Sequence, residues 1–303
     1  MKFKIILKTK NEDDLIDIWI RYYSKMIGKE NIVIFDNNST SQKVLDVYKK
    51  YDIETIQIKY PSNIHSYHNN KIFYDDLFVK YDWFSILDTD EFLCVYKNGM
   101  FSAEGVTELL SSSDKQVLGS IWLDHMHVGD SKEYFKINQV PYICAPKHNK
   151  RHGKAIYRTS YSGICNINYG HNTCCDDVLI ESGLFLFHVD RINPEIRIKN
   201  CLDMALVNTI EKHPEIHKEL KLIQNGIINE EFLNKKFEDN SVDSLHKIRE
   251  VQQYYLDKYS YIKKYYGNER EYIRTNIIDS YVYGTKYKQE IVSKNSDFLG
   301  LKN

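Results

Sequence analysis

Trp83-Phe84-Ser85-Ile86-Leu87-Asp88-Thr89-Asp90-Glu91-Phe92 runs from a mostly apolar stretch straight into three acids. A buried strand ending in Asp-x-Asp puts both carboxylates on one side of the backbone at the mouth of a sheet, because side chains alternate with period two. Two converging carboxylates repel, and a hard divalent cation between them relieves the repulsion while keeping positions open for phosphate oxygens. The stretch therefore reads as a metal–diphosphate site and points to an enzyme that uses a nucleotide-activated substrate. An isolated Asp-x-Asp is also a common solvated turn. The apolar run before it, the third acid Glu91 and the Phe92-Leu93 pair after it set this copy apart.

Working outward, residues 3–7 read as a strand. Asn11 is placed to cap a helix reaching Ile27, with Leu15, Trp19, Tyr22, Tyr23 and Met26 on one face and Gly28 as its stop. Ile32 to Phe35 is a second apolar strand ending at Asp36, and a helix presenting Val44, Leu45, Val47, Tyr48 and Tyr51 follows. Ile53 to Ile58 is a third strand, and a helix around Asn69–Val79 leads to the strand before Asp88. This β-α-β-α order predicts a mainly parallel sheet flanked by helices. Ligands of such sheets bind beyond the carboxyl ends of the strands, where Asp36 and Asp88 both stand. Later strands are expected at Val117–Trp122, Ala155–Arg158, Ile164–Tyr169 and Leu184–His188, and a mostly helical region from about Asn193, broken near Glu238-Asp239-Asn240-Ser241. The expected division is a catalytic domain over 1–200 and a helical C-terminal extension over 201–303.

Composition excludes several classes. With 303 residues and a net charge of −1, the chain can bury a substantial core and has no basic excess for nucleic acid. Met1-Lys2-Phe3-Lys4-Ile5-Ile6-Leu7-Lys8 turns polar after three apolar residues, and no run of 18 apolar residues occurs, so neither a signal peptide nor a membrane span is expected. A cytoplasmic protein with six reduced cysteines follows from that reading. Lys247-Ile248-Arg249 and the Lys- and Tyr-rich stretch 254–266 could touch a membrane surface, but interleaved acids favour a solvated helix. The oligomeric state is not legible.

Taken together, Asn11-Glu12, Trp19, Tyr22-Tyr23, Gly28, Phe35-Asp36-Asn37-Asn38-Ser39 and Trp83 through Phe92 resemble the family-2-like and family-92-like glycosyltransferases of the GT-A (Rossmann-like) fold. Lys154-Ala155-Ile156-Tyr157-Arg158 with His171, and Phe187-His188-Val189-Asp190-Arg191 through Lys199, resemble later stretches of that group. Departures are Val189, where a tyrosine is usual, and Thr40-Ser41, where an acid is usual. The resemblance implies an α/β fold and a metal-dependent, hexosyltransferase-type enzyme of glycan biosynthesis, inverting at the sugar. It would move a sugar from a UDP-sugar to a hydroxyl of a glycan acceptor.

The resemblance also implies roles. Asp36 would accept the ring N–H of uracil, beside Thr9, Asn11 and Glu12; a turn or helix-capping Asp is the alternative. Asp88 and Asp90 would hold Mn²⁺ or Mg²⁺, with His188 as third ligand ahead of His171. Asn69, Lys71, Lys154, Arg158, Arg191 and Lys199 are further donor-binding candidates, the basic ones toward phosphates; the acceptor is the alternative partner of Lys154 and Arg158, and solvated helix charges the alternative reading of Arg191 and Lys199. Inversion needs a general base, and Glu91, Asp124, Asp176 and Asp177 all remain candidates. Two other readings stand beside this one. A nucleotidyl- or phosphotransferase would also pair acids with a metal, but no Walker-type glycine loop occurs. A catalytically silent carbohydrate-binding protein on the same fold is the other. Cys165, His171, Cys174 and Cys175 lack the spacing of common zinc sites.

Overall fold

β1 (Phe3–Thr9) alternates so that Phe3, Ile5 and Leu7 enter one apolar core and Ile6 enters another. A strand buried on both faces is the mark of a parallel strand covered by helices on either side. The computed structural model describes residues 1–58, 67, 69–97, 100–125, 142–144, 154–161, 184–188, 202, 206 and 214–225. Within them the chain is a mixed α/β fold. α1 (Ile16–Ile27), β2 (Ile32–Asp36), α2 (Gln42–Tyr51), β3 (Glu54–Gln57), α3 (Lys71–Lys80) and β4 (Trp83–Leu87) follow β1 in the expected order. β3, β2, β1 and β4 pair in parallel, and β10 (Ala155–Arg158) and β7 (Val117–Gly119) extend the sheet in the order β3-β2-β1-β4-β10-β7. Only the β4–β10 and β10–β7 pairs are antiparallel, so the central sheet is mainly parallel.

A second, mixed sheet was not expected. β5 (Glu91–Lys97), β6 (Met100–Ser102), β8 (Ile121–His125), β9 (Tyr142–Cys144) and β11 (Leu184–His188) are ordered β6-β5-β11-β8-β9. α4 (Glu104–Ser112) packs against β5. Two short passages carry the chain from the first sheet into the second. The first passage, β4 to β5, is the acidic stretch Asp88-Thr89-Asp90. The second is Ser120, so the single strand expected over Val117–Trp122 is in fact two, one in each sheet. Ser120 holds this change of sheet by donating from both its hydroxyl (2.6 Å) and its backbone N–H (3.3 Å) to the carbonyl of Lys154.

One core binds the layers together. Trp19, Ile20 and Tyr23 of α1, Val44 of α2, Leu7 and Leu87 of the first sheet and Leu93, Phe185 and Phe187 of the second belong to a single buried cluster. Fully burying a large apolar side chain contributes roughly 1.5–3 kcal/mol, and Trp19, Trp83 and Tyr23 are among the largest sealed. The opposite face of the first sheet packs Ile6, Val33, Phe35, Phe84 and Ile86 against Tyr74 and Leu77 of α3.

Local expectations fare unevenly. Gly28 does end α1, at φ +84°, where a Cβ would fall 2.3 Å from the Glu30 carboxylate. Asn11 does not cap α1, which begins after Leu15 without a side-chain cap. Its carboxamide oxygen accepts instead from Thr40 N–H (2.8 Å) and Ser41 N–H (3.0 Å), tying the β1–α1 connection to the entrance of α2. Of the expected helical extension, Leu202, Leu206 and α5 (Pro214–Gln224) are described and helical. The strand expected at Ile164–Tyr169, the cysteine cluster and the Lys- and Tyr-rich stretches lie outside the described residues. Among the described residues no helix is long and apolar enough to cross a membrane.

Candidate active site

The β1–β4 register pairs Phe3 with Trp83 through Leu7 with Leu87. Continued by one residue, it puts Lys8 beside Asp88, both on the face that carries Ile6 and Ile86. Lys8 Nζ and Asp88 Oδ1 are 3.1 Å apart. β10 runs antiparallel to β4, so the residue preceding it, Lys154, also arrives at the carboxyl end of β4. Lys154 Nζ lies 3.1 Å from Asp88 Oδ2 and 3.7 Å from Glu91 Oε2. Lys8 was not anticipated, since only the strand register brings it to the acids.

Thr89 and Asp90 form a turn after the end of β4, so period-two alternation does not carry on from Asp88 to Asp90. Glu91 closes that turn. Its backbone N–H donates to the Asp88 carbonyl (3.2 Å), and its Oε2 accepts from Asp88 N–H (2.8 Å). Thr89 donates to the Thr9 hydroxyl at 2.8 Å, fastening the turn to the end of β1. Tyr23 of α1 donates to the Glu91 carbonyl (3.0 Å) and accepts from Leu93 N–H (2.8 Å), so a helix hydroxyl bridges the first residues of β5. Glu91 has no solvent exposure. Burial pushes its carboxyl up to about 7; Lys154 opposes the shift, and Asp88 and Asp90 add to it. A sealed carboxyl engaged in holding a turn has no room for an acceptor hydroxyl, which argues against Glu91 as the base. Lys154 is buried too, and burial works against its charge, but Glu91 and Asp88 outweigh that and raise its pKa.

The second sheet supplies the histidine. β11 runs antiparallel to β5 and parallel to β8, and His188 is in register with Glu91 on one side and Asp124 on the other. Glu91, His188 and Asp124 thus form one row across the sheet. His188 Nε2 lies 3.3 Å from Asp90 Oδ2, and the Asp90 side chain keeps 29% of its exposure. Two ligands that each sit about 2.1 Å from one cation are separated by roughly 3 Å, so this pair fits two corners of a divalent site. Among the described residues no three His, Cys, Asp or Glu side chains converge closely enough to hold a metal by themselves.

The other candidates separate. Asp36 has no exposure; its Oδ2 accepts from Ser39 N–H (3.0 Å), and its Oδ1 accepts from the Ser39 hydroxyl and from Tyr48 (3.2 Å). In this structure that carboxylate closes the turn after β2. Burial, then Asp36, raises the Tyr48 phenol pKa. Thr9 ends β1 opposite Asp36, and Asn11 and Glu12 follow it. Asn69 stands exposed before α3, and Lys71 is engaged with Asp75 on the surface of that helix. Arg158 is at the wrong end of the sheet: it pairs in register with Trp83, donates to the carbonyls of Lys115 (2.8 Å) and Ser113 (2.5 Å), and lies 4.3 Å over the Trp83 ring. The acidic turn is five residues further along, about 17 Å at strand spacing. His171, Asp176, Asp177, Arg191 and Lys199 lie outside the described residues.

No protein-family profile matches the chain, and no curated protein sequence matches it. Solved structures do align with it. S. aureus TarS 1–349 in complex with UDP-GlcNAc is similar over 100% of this chain and 93% of that one, at 12% identity and a TM-score of 0.37. Glucosyl-3-phosphoglycerate synthase from Mycobacterium tuberculosis, in complex with Mn²⁺, UDP and glucosyl-3-phosphoglycerate, aligns over 40% of this chain and 44% of that one, at 13% identity and a TM-score of 0.28. The chain therefore spans less than half the length of that synthase. A cytidylyltransferase from Leptospira borgpetersenii aligns over 53% and 61%, at 10% identity and a TM-score of 0.30.

Proposed function

We propose that the chain is a metal-dependent glycosyltransferase that moves a hexose from a UDP-sugar to a hydroxyl of a glycan acceptor, with inversion. One observation carries this reading. At the carboxyl end of the parallel strands, a carboxylate from the turn between the sheets and an imidazole from the second sheet meet at 3.3 Å, and two ammonium groups flank the neighbouring Asp88. A carboxylate suits Mn²⁺ or Mg²⁺, an imidazole beside it favours Mn²⁺ of the two, and ammonium groups suit phosphate oxygens. Asp90 and His188 would hold the ion, with water and diphosphate oxygens completing its coordination. Bound there, the ion supplies Lewis-acid neutralisation of the charge that develops on the departing diphosphate.

The chain's own residues do the rest. Lys8 and Lys154 face the same developing charge as fixed cations. The acceptor oxygen bonds to the anomeric carbon as the bond to the diphosphate breaks, and the hydroxyl proton passes to a base. Asp124 is the base candidate that this reading prefers, because its strand register sets it next to His188; Asp176 and Asp177 stay as alternatives. Thr9 and Thr89, bonded to each other between the strand ends, fix the floor on which the donor would lie.

The test is a thermal-shift screen of nucleotide sugars with and without Mn²⁺. A ligand at a hundredfold excess over its Kd stabilises the fold by about 2.7 kcal/mol. A UDP-sugar together with Mn²⁺ is expected to raise the melting temperature more than either alone. If no nucleotide sugar shifts the transition in the presence of Mn²⁺, this reading fails.

A further inference from the structure

The two aspartates of the acidic turn have different partners, and the difference divides their work. Each oxygen of Asp88 has an ammonium 3.1 Å away, Lys8 on one side and Lys154 on the other. Asp90 instead faces the histidine of the second sheet. We propose that Asp88 is a counter-ion that holds Lys8 and Lys154 as a paired-ammonium clamp for the diphosphate of the donor, and that the metal is left to Asp90 and His188. This rests on the nucleotide-sugar reading for the identity of the ligand, but not for the clamp.

Three features favour the division. A carboxylate with a lysine on each oxygen offers a cation little, because any bound ion would be repelled by both ammonium charges. The clamp is built from rigid parts: Lys8 is on β1, and Lys154 is fixed through its own carbonyl, which Ser120 grips at the change of sheet. It is also open on one side only. The Lys8 and Asp88 side chains keep 19% and 23% of their exposure, while Lys154 keeps 4%. An ammonium has three donor hydrogens, and ion pairing with Asp88 leaves Lys8 donors for a second anion. Two fixed ammoniums on either side of one carboxylate match a ligand with two linked phosphoryl groups better than a single phosphate.

The experiment uses the full chain and inorganic pyrophosphate, in chelator-treated buffer, followed by calorimetry. Wild type is expected to bind pyrophosphate without metal. Lys8→Gln should weaken that binding about tenfold, the loss of one charge-assisted hydrogen bond, and Lys8→Arg should stay within about threefold of wild type. Lys154 is left intact, since removing a buried cation strands Asp88 and Glu91 without compensation. Mn²⁺ binding is read separately by electron paramagnetic resonance, with Asp88→Asn expected to keep it and Asp90→Asn to lose it. Melting curves confirm that each variant is folded. Pyrophosphate binding that Lys8→Gln leaves unchanged overturns the clamp. So does an Asp88→Asn variant that loses Mn²⁺ as fully as Asp90→Asn. If Lys8-dependent pyrophosphate binding is found but no nucleotide sugar binds with Mn²⁺, the clamp stands and the transferase reading alone is lost.

Discussion

Two acidic turns leave the carboxyl ends of buried strands in the same sheet, one after β2 and one after β4. In the first, Asp36 is sealed, and Ser39 and Tyr48 take up its oxygens. In the second, the equivalent internal task falls to Glu91, whose Oε2 accepts from the Asp88 N–H. Each turn spends one buried carboxylate on closing itself. The second has two acids more, and these remain partly exposed and meet groups from elsewhere in the chain: Lys8 and Lys154 at Asp88, His188 at Asp90. Position at a strand end therefore does not by itself leave an aspartate open to a ligand. What matters is whether a carboxylate remains after the backbone has been satisfied.

The two turns should differ most at Asp90. Asp90→Ala should lower sugar transfer at least about a hundredfold, the usual size of losing a group that stabilises transition-state charge. Its melting temperature should hardly move, because the side chain is partly exposed and closes no turn. Steady-state rates with added Mn²⁺, alongside melting curves, give both numbers. Full activity of the variant in chelator-treated buffer would remove Asp90 from the site.

Asp36 should show the reverse pattern. Asp36→Ala leaves the Ser39 N–H and the buried Tyr48 hydroxyl without their acceptor, at about 2–3 kcal/mol of stability. Tyr48→Phe, which removes one donor, should cost about 1 kcal/mol. Denaturant titration reads both. A variant at Asp36 with an unchanged midpoint but no uridine-nucleotide binding would restore the base-binding role that the resemblance implies, and the contrast between the two turns would collapse.

How far the sequence carried differs with the range of the interactions. From β1 to β4 each element announces itself through local apolar periodicity, and the strand-end location of both acidic turns follows. The second sheet is different. Val117–Trp122 is apolar apart from Gly119-Ser120, and the break at Ser120 depends on the Lys154 carbonyl, 34 residues away in the chain. Lys8 looks like a solvated charge on a strand until the register with β4, a separation of 80 residues, sets it against Asp88. The acids were legible as a cluster because they are adjacent. Their different partners were not, since those come from β1, from the residue before β10 and from β11. Alternation also misled at this point: it treats Asp88 and Asp90 as twins on one face, whereas the turn sends them to different neighbours.

Arg158 tests the same lesson at the quiet end of the sheet. From sequence it matches Lys154, four residues earlier and on the same side of an alternating strand. In the fold the four residues of β10 carry it away from the acids to the start of β4, where it lies over Trp83 and bonds the carbonyls of Ser113 and Lys115. Arg158→Gln should therefore cost only about 1–2 kcal/mol of stability, the size of one cation–π contact and two hydrogen bonds at a partly exposed site. Donor KM and turnover should match wild type. A raised donor KM in a variant of unchanged stability would mean that the basic residues at both ends of β10 reach the donor, and that strand polarity does not separate the site from the scaffold.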